Sequence, residues 1–207
     1  MTSIFLIILI FCPEQPAPTT LNFINNDSYK GCIDTEIWEL SPNKVMDALD
    51  VVTTDTNNDG GESQILMSFD GFIGNGAGLI PKHSRVRSAT LVVTAFDPGT
   101  TVNLHRMLIP WHRSATWNNL ISGVSADGCE ASRHREAFTF GKITANKQKV
   151  RFEVTDTVQA WVNGQANHGW VFLNTGANGW DFYSSDHEEK ESRPLLMVTF
   201  DPPASNR

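Results

Sequence analysis

The chain has 207 residues, 40% of them hydrophobic and 19% charged, with a formal net charge of −7. A chain of that length buries roughly 70% of the surface its unfolded form exposes, so it needs neither metal nor disulfide to own a core, and the composition excludes a wholly disordered chain. The negative balance argues against a nucleic-acid or anionic-membrane footprint, which needs clustered Lys and Arg, while fifteen Gly and ten Pro favour turns and strands over long helices.

The apolar run from Ile4 to Phe11 is too short for a membrane span, which needs about 20 residues. It fits the apolar segment of a secretory signal, for which about 7–15 residues suffice, although no Lys or Arg precedes it and no Ala-x-Ala site follows. A frayed hydrophobic leader is the other reading. Pro13 to Thr20 reads as a stiff linker. The expected organisation is a signal-like leader and linker over 1–20, a β-sandwich domain over 21–201 and a short tail, in a secreted or cell-surface protein with no other membrane contact. Removal of the leader takes Cys12 with it. Cys32 and Cys129 remain, an even count that invites a Cys32–Cys129 disulfide in an exported chain; two buried free thiols are the alternative.

Asp55-Thr56-Asn57-Asn58-Asp59-Gly60 follows the first half of a calcium loop, with oxygen ligands from Asp55, Asn57 and Asp59 and Gly at the sixth place. Leu66 stands where an EF-hand has its Glu, so an EF-hand is excluded; a structural calcium and a solvated turn remain the two readings. No other cofactor is implied. Alternation predicts strands over Gln64–Asp70 and Lys149–Thr155, where Val150, Phe152 and Val154 share a face, and the β-branched, apolar run Ala89–Phe96 predicts another. Gly169–Leu173 is apolar on both faces, as in a central strand, and Leu195–Phe200 closes the series. Between them Asp156–Asn163 carries Val158, Trp161 and Val162 at helical spacing, with Thr155 or Asp156 to cap it and Gly164 to end it. Many strands and one short helix make an all-β, antiparallel sandwich.

In Val102–Ile109, Arg106 shares its face with Val102, Leu104 and Leu108. It is either a buried cation bonded to a carboxylate or a cationic group in a groove. Trp111, His112, Trp117 and Asn118 follow within one stretch, supplying rings to stack on sugar C–H faces and polar groups for hydroxyls. Packing is the competing reading for both Trp residues, and the expected reading for Trp161 and Trp170. The six histidines include no His-Glu-x-x-His, and the chain has no Gly-x-Ser-x-Gly and no phosphate-cradling loop before a helix, so no enzyme is expected.

The order of short motifs resembles the DNRLRE domain, also grouped as carbohydrate-binding module family 96. The resemblance rests on Asp34-Thr35-Glu36-Ile37, Phe69-Asp70, Ile80-Pro81, Ser88-Ala89-Thr90-Leu91, Thr116-Trp117-Asn118, Val158-Gln159-Ala160-Trp161, Ser184-Ser185-Asp186 and Arg193-Pro194-Leu195. His105-Arg106-Met107-Leu108 resembles one bacterial branch, often an appendage of larger secreted proteins. The resemblance implies a jelly-roll-like, non-catalytic module that binds polysaccharide, with alginate the best-known ligand of the family and structural calcium common in such modules. A structural or adhesive surface module without a sugar site is the alternative. Ser41-Pro42-Asn43-Lys44 departs from the family's longer turn at that place.

Overall fold

The structure is a computed structural model that describes residues 17–97, 99–138, 147–176 and 178–203. The apolar leader, Cys12, the linker as far as residue 16 and residues 204–207 of the tail lie outside the described residues. The described chain is all-β and antiparallel, with one short helix. Its strands are β1 (Thr19–Ile24), β2 (Cys32–Trp38), β3 (Val51–Asn58), β4 (Gly61–Phe69), β5 (Arg85–Ala95), β6 (Val102–Met107), β7 (Ala131–Phe138), β8 (Gln148–Glu153), β9 (Trp170–Asn174), β10 (Trp180–Tyr183) and β11 (Leu195–Asp201), and α1 (Thr155–Val162) follows β8.

One sheet joins β1 to β11, β11 to β5 and β5 to β8, with β10 and β3 continuing it beyond the end of β5. The other runs β2, β4, β9, β6, β7. Strand β3 belongs to both: Val51–Thr54 pairs with β10, and its far end turns back onto β4 at Asn58 and Gly61. The turn between them is Asp59-Gly60, with φ of 54° and 99°. Two successive positive φ values are what a tight two-residue hairpin requires, and Asp-Gly supplies them cheaply. The 55–60 segment is therefore a strand end and a hairpin rather than an open loop.

The main core lies between the sheets. Leu91, Val93, Phe152, Leu196 and Val198 from one sheet meet Ile65, Met67, Phe69, Trp170 and Phe172 from the other. Trp161 of α1 also enters this core, its ring 4.7 Å from that of Trp170. The expected cap of α1 is not made. Thr155 Oγ1 accepts a bond from the Ala89 N–H at 2.8 Å instead, which ties the helix start to β5, while Gly164 takes the left-handed conformation past the helix end with φ of 101°.

A second apolar cluster sits on the outward face of the β2–β7 sheet. Ile37, Leu66, Met107 and Val171 point away from the main core and are covered by the segment 108–130, which brings Ala115, Trp117, Leu120 and Val124 onto them. Trp117 is only 8% exposed. A Cβ on Gly123 would stand 2.7 Å from the Trp117 ring, and Gly123 has φ of 86°, so glycine is required there on both counts. The side chain of Gln64 grips the same segment, donating from Nε2 to Val124 O at 3.1 Å and accepting from Val124 N–H at 2.8 Å. Replacing Trp117 with Ala is expected to cost about 3–5 kcal/mol. Chemical denaturation checks this, and a loss under 1 kcal/mol would remove Trp117 from the structural account.

The expected Cys32–Cys129 bridge is not formed: Cys32 is buried, Cys129 is exposed, and both are free thiols. Cys32 points into the main core from β2, whereas Cys129 lies just before β7 at the opposite side of the same sheet. Four strand spacings separate β2 from β7, roughly 19 Å at about 4.8 Å each, whereas bridged Cα atoms stand about 4.4–6.8 Å apart. Maleimide should label Cys129 in the folded protein and Cys32 only after unfolding, with mass mapping to tell them apart; protection of both in the folded state would contradict this arrangement.

Candidate functional site

The connection from β6 to β7 carries most of the chemistry that the sequence singled out. After Met107 the chain turns over the sheet, held by Met107 N–H to Gly169 O at 3.0 Å and Leu108 N–H to Glu130 O at 2.8 Å. Trp111 is half-buried against the second core and donates its indole N–H to His168 O at 2.7 Å. His112 is exposed, with Nδ1 3.2 Å from Ser114 Oγ. Trp111, His112, Ser114 and Asn119 line an open cavity of about 370 Å³ floored by Ala115 and Leu120.

The five expected sugar contacts do not converge. Trp117 packs in the second core and presents no stacking face. Asn118 is exposed, but its Nδ2 donates to Asn43 Oδ1 at 2.9 Å and its N–H to Pro42 O at 2.9 Å, so it pins the Ser41–Lys44 turn. Arg106 faces the main-core side of β6. Its guanidinium stands 3.7 Å from Glu136 and donates to Gln165 Oε1 at 3.1 Å, and the Glu136 carboxylate also accepts from Thr157 of α1. The paired, half-buried arginine replaces the groove arginine. Trp111 and His112 alone share a cavity.

A second pocket, of about 420 Å³, lies on the other side of the same connection. It brings together Lys30 from the β1–β2 turn, Arg113, and Asp186, Lys190 and Arg193 from the β10–β11 connection. Asn25 organises it. Its side chain accepts the Cys32 N–H at 3.0 Å and donates to Cys32 O at 2.7 Å, imitating a strand pair, while its own carbonyl accepts from Arg193 at 2.9 Å. Arg113 pairs with Asp186, and Lys190 with Asp27 at 3.0 Å. Behind the pocket the buried carboxyl of Asp34 accepts the Ser185 N–H at 2.7 Å, so two stretches 151 positions apart in sequence meet there. Sequence reading missed these cations because they are scattered singly along the chain. The only local sign was Arg113 beside His112, and Asp186 and Arg193 within quoted motifs.

Among the described residues no group of three or more His, Cys, Asp and Glu is arranged to hold a metal ion. Asp55 accepts the Asn57 N–H at 3.0 Å, a local turn contact. No family model matches the chain, and no curated protein matches it.

Two carboxyls on the inward face of β2 carry unusual protonation. Burial pushes Asp34 up to about 7 against the hydrogen bonds from Ser185, and pushes Glu36 up to about 7 against the bond from the Thr53 N–H. The ordinary values are 3.8 and 4.5, so the folded protein keeps these protons where the unfolded chain has lost them. Their contribution therefore makes stability fall as pH rises from about 4 to 7, by at most ~1.4 kcal/mol per pH unit for each group. Asp34→Asn and Glu36→Gln keep the oxygen that accepts the N–H and remove the titration. Thermal melts across that range should show a flatter slope in the double variant; an unchanged slope would mean that neither carboxyl is protonated in the fold.

Proposed function

We propose that the chain is a non-catalytic module that attaches to a polysaccharide, working as a secreted or cell-surface protein or as an appendage of a larger one. The observation that carries this reading is the open cavity at Trp111 and His112. An indole fixed by its own N–H bond offers a rigid ring edge and face, and His112, Ser114 and Asn119 offer donors and acceptors for hydroxyls around an apolar floor. The cavity is built on a connection clamped to the sheet, so the contacts are held before a ligand arrives, which lowers the ordering cost of binding. The motif resemblance to the DNRLRE domain supports the same reading, and with it an acidic, alginate-like ligand.

A structural or adhesive module is the second reading. It is favoured by the internal use of Arg106, Trp117 and Asn118, three residues that are each engaged within the chain. A polysaccharide panel including alginate and pectin, run by affinity electrophoresis, separates the two. Binding by the wild type should fall about 5–150-fold in Trp111→Ala, as for a ring contact worth about 1–3 kcal/mol. His112→Ala should weaken binding with an unchanged melting temperature, since its ring is exposed. No retardation on any polysaccharide would favour the structural reading.

A further inference from the structure

We propose that the pocket between the β1–β2 turn, Arg113 and the β10–β11 connection is a binding site for a phosphate dianion, free or carried as the terminal group of a small phosphate monoester. This site is separate from the Trp111 cavity, on which the polysaccharide reading rests. The chain as a whole carries −7, yet Lys30, Arg113, Lys190 and Arg193 line this one pocket against only Asp27 and Asp186, an excess of two positive charges. Internal pairing does not use up that excess. Arg113 is bound to Asp186 and Lys190 to Asp27, which accounts for both carboxylates. Arg193 is held by backbone carbonyls instead: Nε donates to His187 O at 2.5 Å and a terminal nitrogen to Asn25 O at 2.9 Å. Those bonds fix the guanidinium and leave its charge uncompensated. Lys30 is exposed at the rim and makes no salt bridge with the described residues. Asp34 behind the pocket is pushed up to about 7 by its burial, so it adds less than a full negative charge at neutral pH. A phosphate monoester carries about −1.5 to −2 near pH 7 and matches the excess, whereas a single carboxylate cancels only half of it.

The donors fit the same group. Phosphate presents three strong acceptor oxygens, and a guanidinium offers five donors in a planar fork that meets an oxyanion at two points. Asp186 takes one terminal nitrogen of Arg113, and the Arg113 Nε is buried with no hydrogen-bond partner. An unsatisfied buried donor is costly, and an oxyanion seated in the Arg113 fork supplies the missing acceptor. Asn26 adds an amide at the wall. Its Oδ1 accepts the Ser28 and Tyr29 N–H groups at 2.7 and 3.0 Å, which leaves Nδ2 to donate to a ligand. The volume, about 420 Å³, lies within the range of small-ligand sites and leaves room for the organic part of a monoester beside its phosphate.

The test is calorimetric titration of the whole chain at pH 7 with glycerol 3-phosphate, inorganic phosphate, glycerol and glucuronate. Glycerol 3-phosphate should bind about 10–100-fold tighter than glucuronate, the range expected for additional charge-assisted hydrogen bonds, and glycerol should not bind. Tighter binding of glycerol 3-phosphate than of inorganic phosphate assigns the monoester; equal or weaker binding assigns free phosphate. Arg113→Gln should weaken both phosphate ligands about 10–100-fold, and Lys30→Gln about 2–5-fold, as for an exposed charge. Lys82→Gln removes the same charge from an exposed position outside the pocket and should leave both affinities unchanged. Lys30 is exposed, so its variant tests the site even if Arg113→Gln fails to fold. Glucuronate binding as tightly as the phosphate ligands, equal losses in Lys30→Gln and Lys82→Gln, or no binding of either phosphate ligand overturns the site. None of these outcomes depends on the Trp111 cavity, so the polysaccharide reading stands or falls by its own panel.

Discussion

The β2–β7 sheet has apolar residues on both faces, and everything distinctive about this molecule follows from the need to cover the outer one. Leu66 and Val171 point away from the main core but are fully buried. Antiparallel sheets commonly leave one face to solvent, and doubly buried strands belong chiefly to parallel sheets covered by helices. Here a long connection with only a 3-10 turn at Asn118–Leu120 does the covering. Such a connection carries a large ordering cost, which is offset by burying Trp117 and Leu120 and by the two-bond grip of Gln64 on Val124. The same clamp makes the segment around Trp111–Arg113 a fixed platform, although it lies in no strand or helix.

The edge strand β2 solves a different problem. An unpaired edge invites another chain to add to it, and inward-pointing charged residues are one defence. Asp34 and Glu36 both point inward from β2, and each reaches a backbone N–H, at Ser185 and Thr53, that lies beyond its own sheet. These bonds join the two layers at the open side of the sandwich. Burial raises both carboxyls, so the join is made with groups near the boundary between neutral and charged. The bond at Asp34 also fixes Ser185, which lines the charged pocket, so the layer contact positions part of that pocket's wall.

The strands that stand half in water were legible in the sequence, because alternation records burial directly. Val150 and Phe152 inward against Arg151 and Glu153 outward is the clearest case. The helix was legible for the same reason, through Val158, Trp161 and Val162. Strand β1 was not: Thr19 and Thr20 read as linker because only Phe23 of that strand is fully buried, and its place is set by pairing with β11. Trp117 and Trp111 look alike in sequence, and only the covering of the outer sheet face makes one a plug and the other a cavity wall. Arg106 was legible as a choice between two states, and the choice depended on Glu136, thirty positions away. The charged pocket left only scattered local signs, Arg113 beside His112 and Asp186 and Arg193 within short motifs, since its cations come from three connections that only the sandwich topology gathers.

The overall negative charge weighs less against an anionic ligand than it first does on paper. At physiological salt the screening length is about 8 Å, so carboxylates on the far side of a sandwich contribute little at the pocket. What an approaching anion feels is the local set: Lys30 and Lys190 at the rim, Arg113 and Arg193 deeper, and two carboxylates already engaged by cations. Low-dielectric walls concentrate that field. The strength of attraction for an acidic group on the proposed ligand therefore depends on this local set of charges rather than on their sum over the chain.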